Sequence, residues 1–216
     1  MKSILIIGMG RFGRHLANKM TELGNDVMIV DKEESIVNEL APHFTNAFIG
    51  DCTNEGVLRG LGVSNFDLCF VAIGDNFQAS LEITSLLKEL GAKYVVSKAD
   101  RDMQAKFLAK NGADEVVYPE HDMAEKLAIR HNAKNIFDFI ELNNSYAIYE
   151  IAVVQEWVGH SLMELNIRKK YFINILAIKR ENNIQPLPDA NYVFKKEDHV
   201  IVIGKPDDVF KLSNRK

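Results

Sequence analysis

Apolar positions in the first part of the chain follow two alternating periods. Ser3–Ile7 reads as an apolar run that stops at Gly8, as expected of a strand buried on both faces. Phe12, Leu16, Ala17, Met20 and Leu23 then recur at helical spacing, and Gly24 supplies a stop signal. The alternation continues with strands predicted at residues 27–30, 47–49, 68–73, 94–97 and 116–118. Between them Ile36, Val37 and Leu40, then Val57, Leu58 and Leu61, then residues 77–90 and 103–108, carry helical spacing. Repeated strand-helix units with apolar strands imply parallel pairing, because parallel neighbours need crossover connections. The fold class is therefore α/β, a Rossmann-like doubly wound parallel sheet over residues 1–118.

At Pro119 the pattern changes. Proline suits a first helical turn, and Met123, Ala124, Leu127 and Ala128 continue as an apolar stripe, so residues 119–134 read as a connecting helix. Beyond it, strand-like segments at 137–142, 147–154, 173–178 and 200–203, with a short helix at 161–165, describe a smaller α+β domain over 135–216. Asn182-Asn183 and residues 186–188 are expected to form turns. No internal repeat or low-complexity segment interrupts the chain.

Composition narrows the function. The 216 residues are 47% hydrophobic, enough for two domains with their own cores. With 26 basic and 30 acidic residues the net charge is −4, which argues against a nucleic-acid partner. Ile4-Leu5-Ile6-Ile7 is far shorter than the ~20 residues a membrane span needs, and the single Lys before it and the lack of a small-residue cleavage site after it do not suit a leader peptide. Cys52 and Cys69 are too few to staple such a chain, so a reduced, cytoplasmic setting is expected. The six histidines stand apart, at 15, 43, 121, 131, 160 and 199, and no zinc or nucleophile-base spacing is present. The second domain is too small and β-rich for the catalytic half of a nicotinamide dehydrogenase, so no enzymatic activity is expected.

Candidate chemistry gathers where strands end. Gly8-Met9-Gly10-Arg11-Phe12-Gly13 fits G-x-G-x-x-G between the first strand and the first helix, where backbone N–H groups and the helix dipole can hold a phosphate. Asp31 ends the second strand, placed to accept hydrogen bonds from ribose hydroxyls. The combination points to an adenine nucleotide. Arg11 has two open roles, a guanidinium for a terminal phosphate or a solvated residue of the first turn. Asp51 can meet the adenine edge or cap the helix beginning near Asn54. Gly74-Asp75-Asn76 and Lys98 also come after strands, and Lys98 can face the crevice or be an ordinary surface charge. Glu120 opens the connecting helix; its bland role is to favour the helix dipole by ~0.3–1 kcal/mol, and its sharper role is to hold a cation beside phosphate.

These residues make the chain resemble the regulators of K⁺ conductance, the RCK family, and within it the single-RCK cytosolic subunits of Ktr/Trk bacterial potassium-uptake systems. The carriers are the glycine motif, Val30-Asp31, Gly50-Asp51-Cys52-Thr53, Val71-Ala72-Ile73-Gly74-Asp75-Asn76-Phe77-Gln78-Ala79-Ser80, Gly112-Ala113-Asp114, and Pro119-Glu120-His121-Asp122-Met123. Asn166-Ile167-Arg168 and Ile175-Leu176-Ala177-Ile178-Lys179 extend the likeness into the second domain. The resemblance implies a cytoplasmic gating-ring subunit, peripheral to the inner face of the membrane, that binds ATP or ADP and controls a separate potassium translocator. It further implies dimers that assemble into an octameric ring. The implied nucleotide residues are Gly8, Gly10, Arg11, Phe12, Gly13, Asp31, Lys32, Asp51, Cys52, Ala72, Ile73, Gly74, Asn76 and Lys98. By the same likeness, Arg11 meets the terminal phosphates, Asp31 the ribose and Asp51 the adenine. Glu120 would help hold a divalent or monovalent cation between nucleotides. Met163, Arg168, Asn174 and Ile175 correspond to a cyclic di-AMP site, where Lys169 and Phe172 depart from the small residues expected. Two other readings stay open: an NAD(H)-binding oxidoreductase or redox sensor, since Asp31 suits the ribose of NAD or NADH equally, and a ligand-sensing module with an unrelated partner.

Overall fold

The computed structural model describes residues 1–132, 135–143, 145–181 and 183–213. They form two compact units, Met1–Asp122 and Met123–Lys216. In the first, the elements run β1 (Ser3–Ile7), α1 (Arg11–Glu22), β2 (Asp26–Asp31), α2 (Glu34–Leu40), β3 (Asn46–Ile49), α3 (Glu55–Leu61), β4 (Leu68–Val71), α4 (Phe77–Glu89), β5 (Val95–Lys98), α5 (Asp102–Lys110) and β6 (Glu115–Val117). Among the described residues the strands make one six-stranded parallel sheet in the order β3-β2-β1-β4-β5-β6. This is the doubly wound topology expected of the sequence, with its switch point between β1 and β4.

The apolar run of β1 is explained by cover on both faces. Leu5 and Ile7 pack with Cys69, Val71, Ile83 and Leu87 on one side, while Ile4 and Ile6 pack with Ala17, Val27 and Ile29 on the other. Each such side chain, fully withdrawn from water, contributes ~1.5–3 kcal/mol. The segment expected to run as a strand over 68–73 leaves the sheet earlier, after Val71. Ala72 N–H still donates to the Ile7 carbonyl at 2.8 Å, and α4 follows from Phe77.

The helix begun by Pro119 is α6 (Pro119–Asn132), and the division between the units falls inside it rather than at its ends; residues 133–134 of the expected connector lie outside the described residues. The second unit contains β7 (Ile136–Asn143), β8 (Tyr146–Ala152), α7 (Leu162–Leu165), α8 (Ile167–Tyr171), β9 (Asn174–Arg180), β10 (Asn183–Pro186), β11 (His199–Gly204) and α9 (Pro206–Ser213). Its antiparallel sheet has the order β10-β9-β11-β8-β7. Trp157, Tyr149, Ile151, Phe194, Val200 and Val202 fill the core beneath it. Ser161 and Glu164 form a reciprocal capping box that starts α7, where the sequence predicts a short helix.

The structure corrects the expectation of turns at Asn183 and Pro186. These residues bound β10, which pairs antiparallel with β9. β10 is an exposed edge strand, where proline costs no ladder hydrogen bond on its open side and apolar alternation is not demanded. Asn182, the other half of that expected turn, lies outside the described residues.

Candidate functional site

Because the strands of the first unit are parallel, their carboxyl ends all lie on one edge of the sheet. Each end contributes to a single cleft of about 1720 Å³. Gly8, Gly10, Arg11 and Phe12 line it after β1, Asp31 and Lys32 after β2, and Asp51 and Cys52 after β3. Ala72, Ile73, Gly74 and Asn76 come after β4, Lys98 and Asp100 belong to the end of β5, and Tyr118 and Glu120 come after β6. A cleft at the carboxyl ends, beside the switch point, is where open α/β sheets collect ligands.

The glycine loop divides its work. Gly8 has φ +95°, and a Cβ added at Gly13 would lie 2.0 Å from the Gly8 carbonyl oxygen, so α1 can sit against the loop only without side chains at these points. Gly13 accordingly does not line the cleft; it lets the helix approach. A Cβ at Gly10, which lines the cleft, would meet open space, with no atom beyond its own chain neighbours within 4 Å. Gly10 also caps α1 with no side-chain hydrogen bond, and the first turn holds no acid. Backbone donors at a helix start without a side-chain cap suit an anion.

The acids are oriented by their own neighbours. Asp31 Oδ2 accepts from the Met9 amide at 2.6 Å and Oδ1 from the Glu33 amide at 3.0 Å, which fixes the carboxylate while leaving lone pairs for ribose hydroxyls. Asp51 Oδ1 accepts from the Thr53 hydroxyl at 2.7 Å and the Thr53 amide at 3.0 Å. Those two bonds, the hydroxyl's first, hold its carboxyl below the usual range. Asp51 is not the cap of α3: Asn54 performs that task, accepting from the Gly56 amide at 2.9 Å. Asn76 likewise caps α4 through the Ala79 amide at 3.1 Å while facing the cleft. Burial, followed by the charges of Asp51 and Asp31, pushes the Cys52 thiol up to about 12, so it offers no nucleophile.

Lys98 is not a surface charge. Its side chain is only 9% exposed, with Nζ 2.6 Å from Asp100 Oδ1 and 3.1 Å from Glu120 Oε1. Partial burial works against ionised Glu120, but the Lys98 hydrogen bond and charge, then the charge of Arg11, hold its pKa below the ordinary value. The ammonium thus lies between two carboxylates, whose oxygens are of the kind that suit a hard ion. Among the described residues no group of three or more His, Cys, Asp or Glu could hold a metal unaided. A cation here would need further oxygens from a bound anion.

Residues 4–119 match the TrkA-N domain and residues 147–215 the TrkA-C domain. The chain is 42% identical over 214 residues to the Ktr system potassium uptake protein C of Bacillus subtilis, covering 99% of this chain and 97% of the relative. It is 36% identical over 213 residues to the Ktr system potassium uptake protein A of the same organism, covering 99% and 96%. The chain is a single-RCK member of the Ktr/Trk family. Its fold also resembles the GsuK channel bound to NAD, with a TM-score of 0.72 at 18% identity over 99% of this chain and 40% of that one. GsuK bound to ADP gives a TM-score of 0.54 at 19% identity, over 62% of this chain and 35% of that one. Among the described residues of the Ktr/Trk chain no helix is long and apolar enough to cross a membrane.

In this family member the residues of the sequence-derived nucleotide site come together in the cleft, Gly13 excepted. Arg168 and Asn174 meet at a second cavity of about 520 Å³ in the other unit, with Phe172 and Lys205. Met163 and Ile175 do not line it: Met163 is 63% exposed, and Ile175 is half-buried against the core. Phe172 takes φ +59° at the end of α8 and is 73% exposed, so it borders the cavity without filling a core position. Sequence reasoning passes over Asp100 and Tyr118. Asp100 carries the same signal as Asp31 and Asp51, an acid just beyond a strand, and Tyr118 donates its hydroxyl hydrogen bond to the Asp100 carbonyl.

Proposed function

We propose that the chain is a cytosolic, non-catalytic sensor subunit that binds ATP or ADP in the cleft and, as a homo-oligomeric ring, sets the activity of a separate membrane potassium translocator. The observation that carries this reading is the convergence of a glycine loop without a side-chain cap, an oriented Asp31 and an acid, Glu120, paired with Lys98 at one edge of the sheet. Relatives named as Ktr potassium uptake proteins supply the transport context. Phosphates would lie against Gly10 and the start of α1, the ribose against Asp31, and the adenine near Asp51 and Cys52. Arg11 supplies a guanidinium for the third phosphate of ATP. Glu120 would share a cation with that phosphate, which neutralises charge that would otherwise repel the carboxylate.

ATP can favour one ring conformation over ADP only by its difference in affinity for the two states. Moving a ring from mostly closed to mostly open takes ~5 kcal/mol in all. Spread over the copies of a ring, that is a modest demand on each Arg11 contact. The second cavity, with Arg168, Lys205 and Asn174, offers cations and an amide to a second anionic ligand, and cyclic di-AMP is the candidate.

NAD(H) is the rival ligand. Asp31 would serve its ribose equally, and the GsuK channel of similar fold has been solved bound to NAD. Calorimetric titration of nucleotide-free protein with ATP, ADP and NADH, each with and without Mg²⁺, separates the two. The proposal expects ATP and ADP to saturate the site, Mg²⁺ to tighten ATP most, and no hydride transfer to occur. Tight NADH binding with turnover of an acceptor would replace it. Growth of a potassium-limited strain restored by the gene together with its translocator, and not by the translocator alone, tests the transport role.

A further inference from the structure

A lysine at the wall of an open cleft ordinarily keeps its ammonium in water, but Lys98 does not. Its withdrawal is stabilised by two anions, Asp100 Oδ1 at 2.6 Å and Glu120 Oε1 at 3.1 Å. Gly74 makes the arrangement fit: a Cβ there would come within 3.0 Å of Lys98 Nζ and 3.1 Å of Asp100 Oδ2. The two anions are held differently. Asp100 is pinned through its backbone, its amide donating to Gln104 Oε1 at 3.0 Å and its carbonyl accepting from the Tyr118 hydroxyl. Glu120 stands in the first turn of α6 with 65% of its side chain exposed. Asp100 is thus a fixed anchor and Glu120 a releasable partner.

We propose that Lys98 is a positioning residue that occupies the cation's place on Glu120 while the cleft is empty and yields it when a polyphosphate draws the ammonium away. This rests on the nucleotide reading above and adds to it an order of events. A cation arriving alone must displace the ammonium from Glu120. A nucleotide arriving first offers the ammonium phosphoryl oxygens in exchange, since charge-assisted hydrogen bonds to phosphate are strong, and leaves Glu120 unpaired beside that phosphate. Glu120 and the phosphate would then be the oxygens free to hold the cation. Nucleotide and cation therefore strengthen each other's binding by the same factor.

The test is Mn²⁺ binding followed by electron paramagnetic resonance on the full chain, first without nucleotide and then saturated with ATP. Wild-type protein should bind Mn²⁺ weakly alone and at least about tenfold more tightly with ATP. Lys98→Met should bind Mn²⁺ alone about tenfold more tightly than wild type, and its gain from ATP should shrink. Lys98→Gln, which keeps a polar group beside Asp100, guards against a folding failure in the first variant and should behave alike. Adding Glu120→Gln to either should remove the gain, whereas Arg11→Ala, which deletes a positive charge from the same cleft, should not reproduce it. If both Lys98 variants bind ATP but show Mn²⁺ affinity unchanged or weaker without nucleotide, the role of Lys98 is overturned. Wild-type protein that binds no ATP at all would instead overturn the nucleotide reading.

Discussion

The Met9 amide donates a 2.6 Å hydrogen bond to Asp31 Oδ2, tying the glycine loop after β1 to the acid that ends β2. The group expected to hold the ribose therefore also sets the shape of the loop expected to hold the phosphates. Asp31→Ala removes both contributions. Charge-assisted hydrogen bonds of this kind are worth ~1.5–3 kcal/mol, so affinity should fall about 10- to 100-fold. Since the ribose is common to ATP, ADP and NADH, calorimetry should find losses of similar size for all three.

Gly10 and Gly13 should separate binding from folding. At Gly13 an added methyl meets the Gly8 carbonyl at 2.0 Å, and relieving that clash means moving backbone. Overpacking of this sort costs ~1–3 kcal/mol, so Gly13→Ala should lower the melting temperature of the first unit by several degrees. Gly10 has φ −66°, open to any residue, and free space before it. Gly10→Ala should melt like wild type in calorimetry yet lose about tenfold or more in ATP affinity, because its methyl occupies the phosphate's place.

Both thiols should be unreactive in the folded chain. Burial pushes Cys52 and Cys69 up to about 12, Cys52 with help from Asp51 and Asp31. Alkylation by iodoacetamide at about pH 8 should be slow until the protein is unfolded. The unfolded thiols ionise from ~8.5 upward while the folded ones remain protonated, so this linkage predicts stability that declines as pH rises above ~8.5. Denaturant titrations of wild type and Cys52→Ala across that range measure it.

Acid should affect the second unit through Asp198. The carboxylate is fully buried and accepts from Arg180 at 2.6 and 3.1 Å, the Tyr192 hydroxyl at 2.7 Å and the Lys195 amide at 2.8 Å. Burial opposes its charge, but these bonds prevail and its pKa is lowered. Its stabilisation is therefore complete above the unfolded value of ~3.9 and is lost as pH falls through the folded value. Asp198→Asn should cost ~1.5–3 kcal/mol near neutral pH, as for hydrogen bonds lost to a buried carboxylate whose Arg180 partner is itself part-exposed, and less as acid is added. Urea unfolding at several pH values provides the comparison.

Much of the first unit can be read from sequence because its signals are local. The run of β1, the glycines and Asp31 each depend on a few adjacent residues, and parallel topology then fixes which end of the sheet they share. Asp51's freedom from capping is not legible, since Asn54 is an equally good cap and only the structure shows which is used. Nor is the Lys98–Glu120 pair, which joins the end of β5 to the start of α6 across a sequence gap that no periodicity spans. In the second unit β10 escapes notice because an edge strand is released from the apolar alternation that reveals buried ones. Met163 and Ile175 come from resemblance alone, and on this chain they lie apart from the cavity that Arg168 and Asn174 share.

The central claim is that the Arg11 guanidinium in the cleft tells a triphosphate from a diphosphate. Its most direct test is calorimetric titration of wild type and Arg11→Ala with ATP and ADP under one divalent-ion concentration. The account predicts ADP affinity nearly unchanged in the variant and ATP affinity reduced about tenfold or more, as expected for one lost charge-assisted contact. Equal losses for both nucleotides, or none for either, would contradict it.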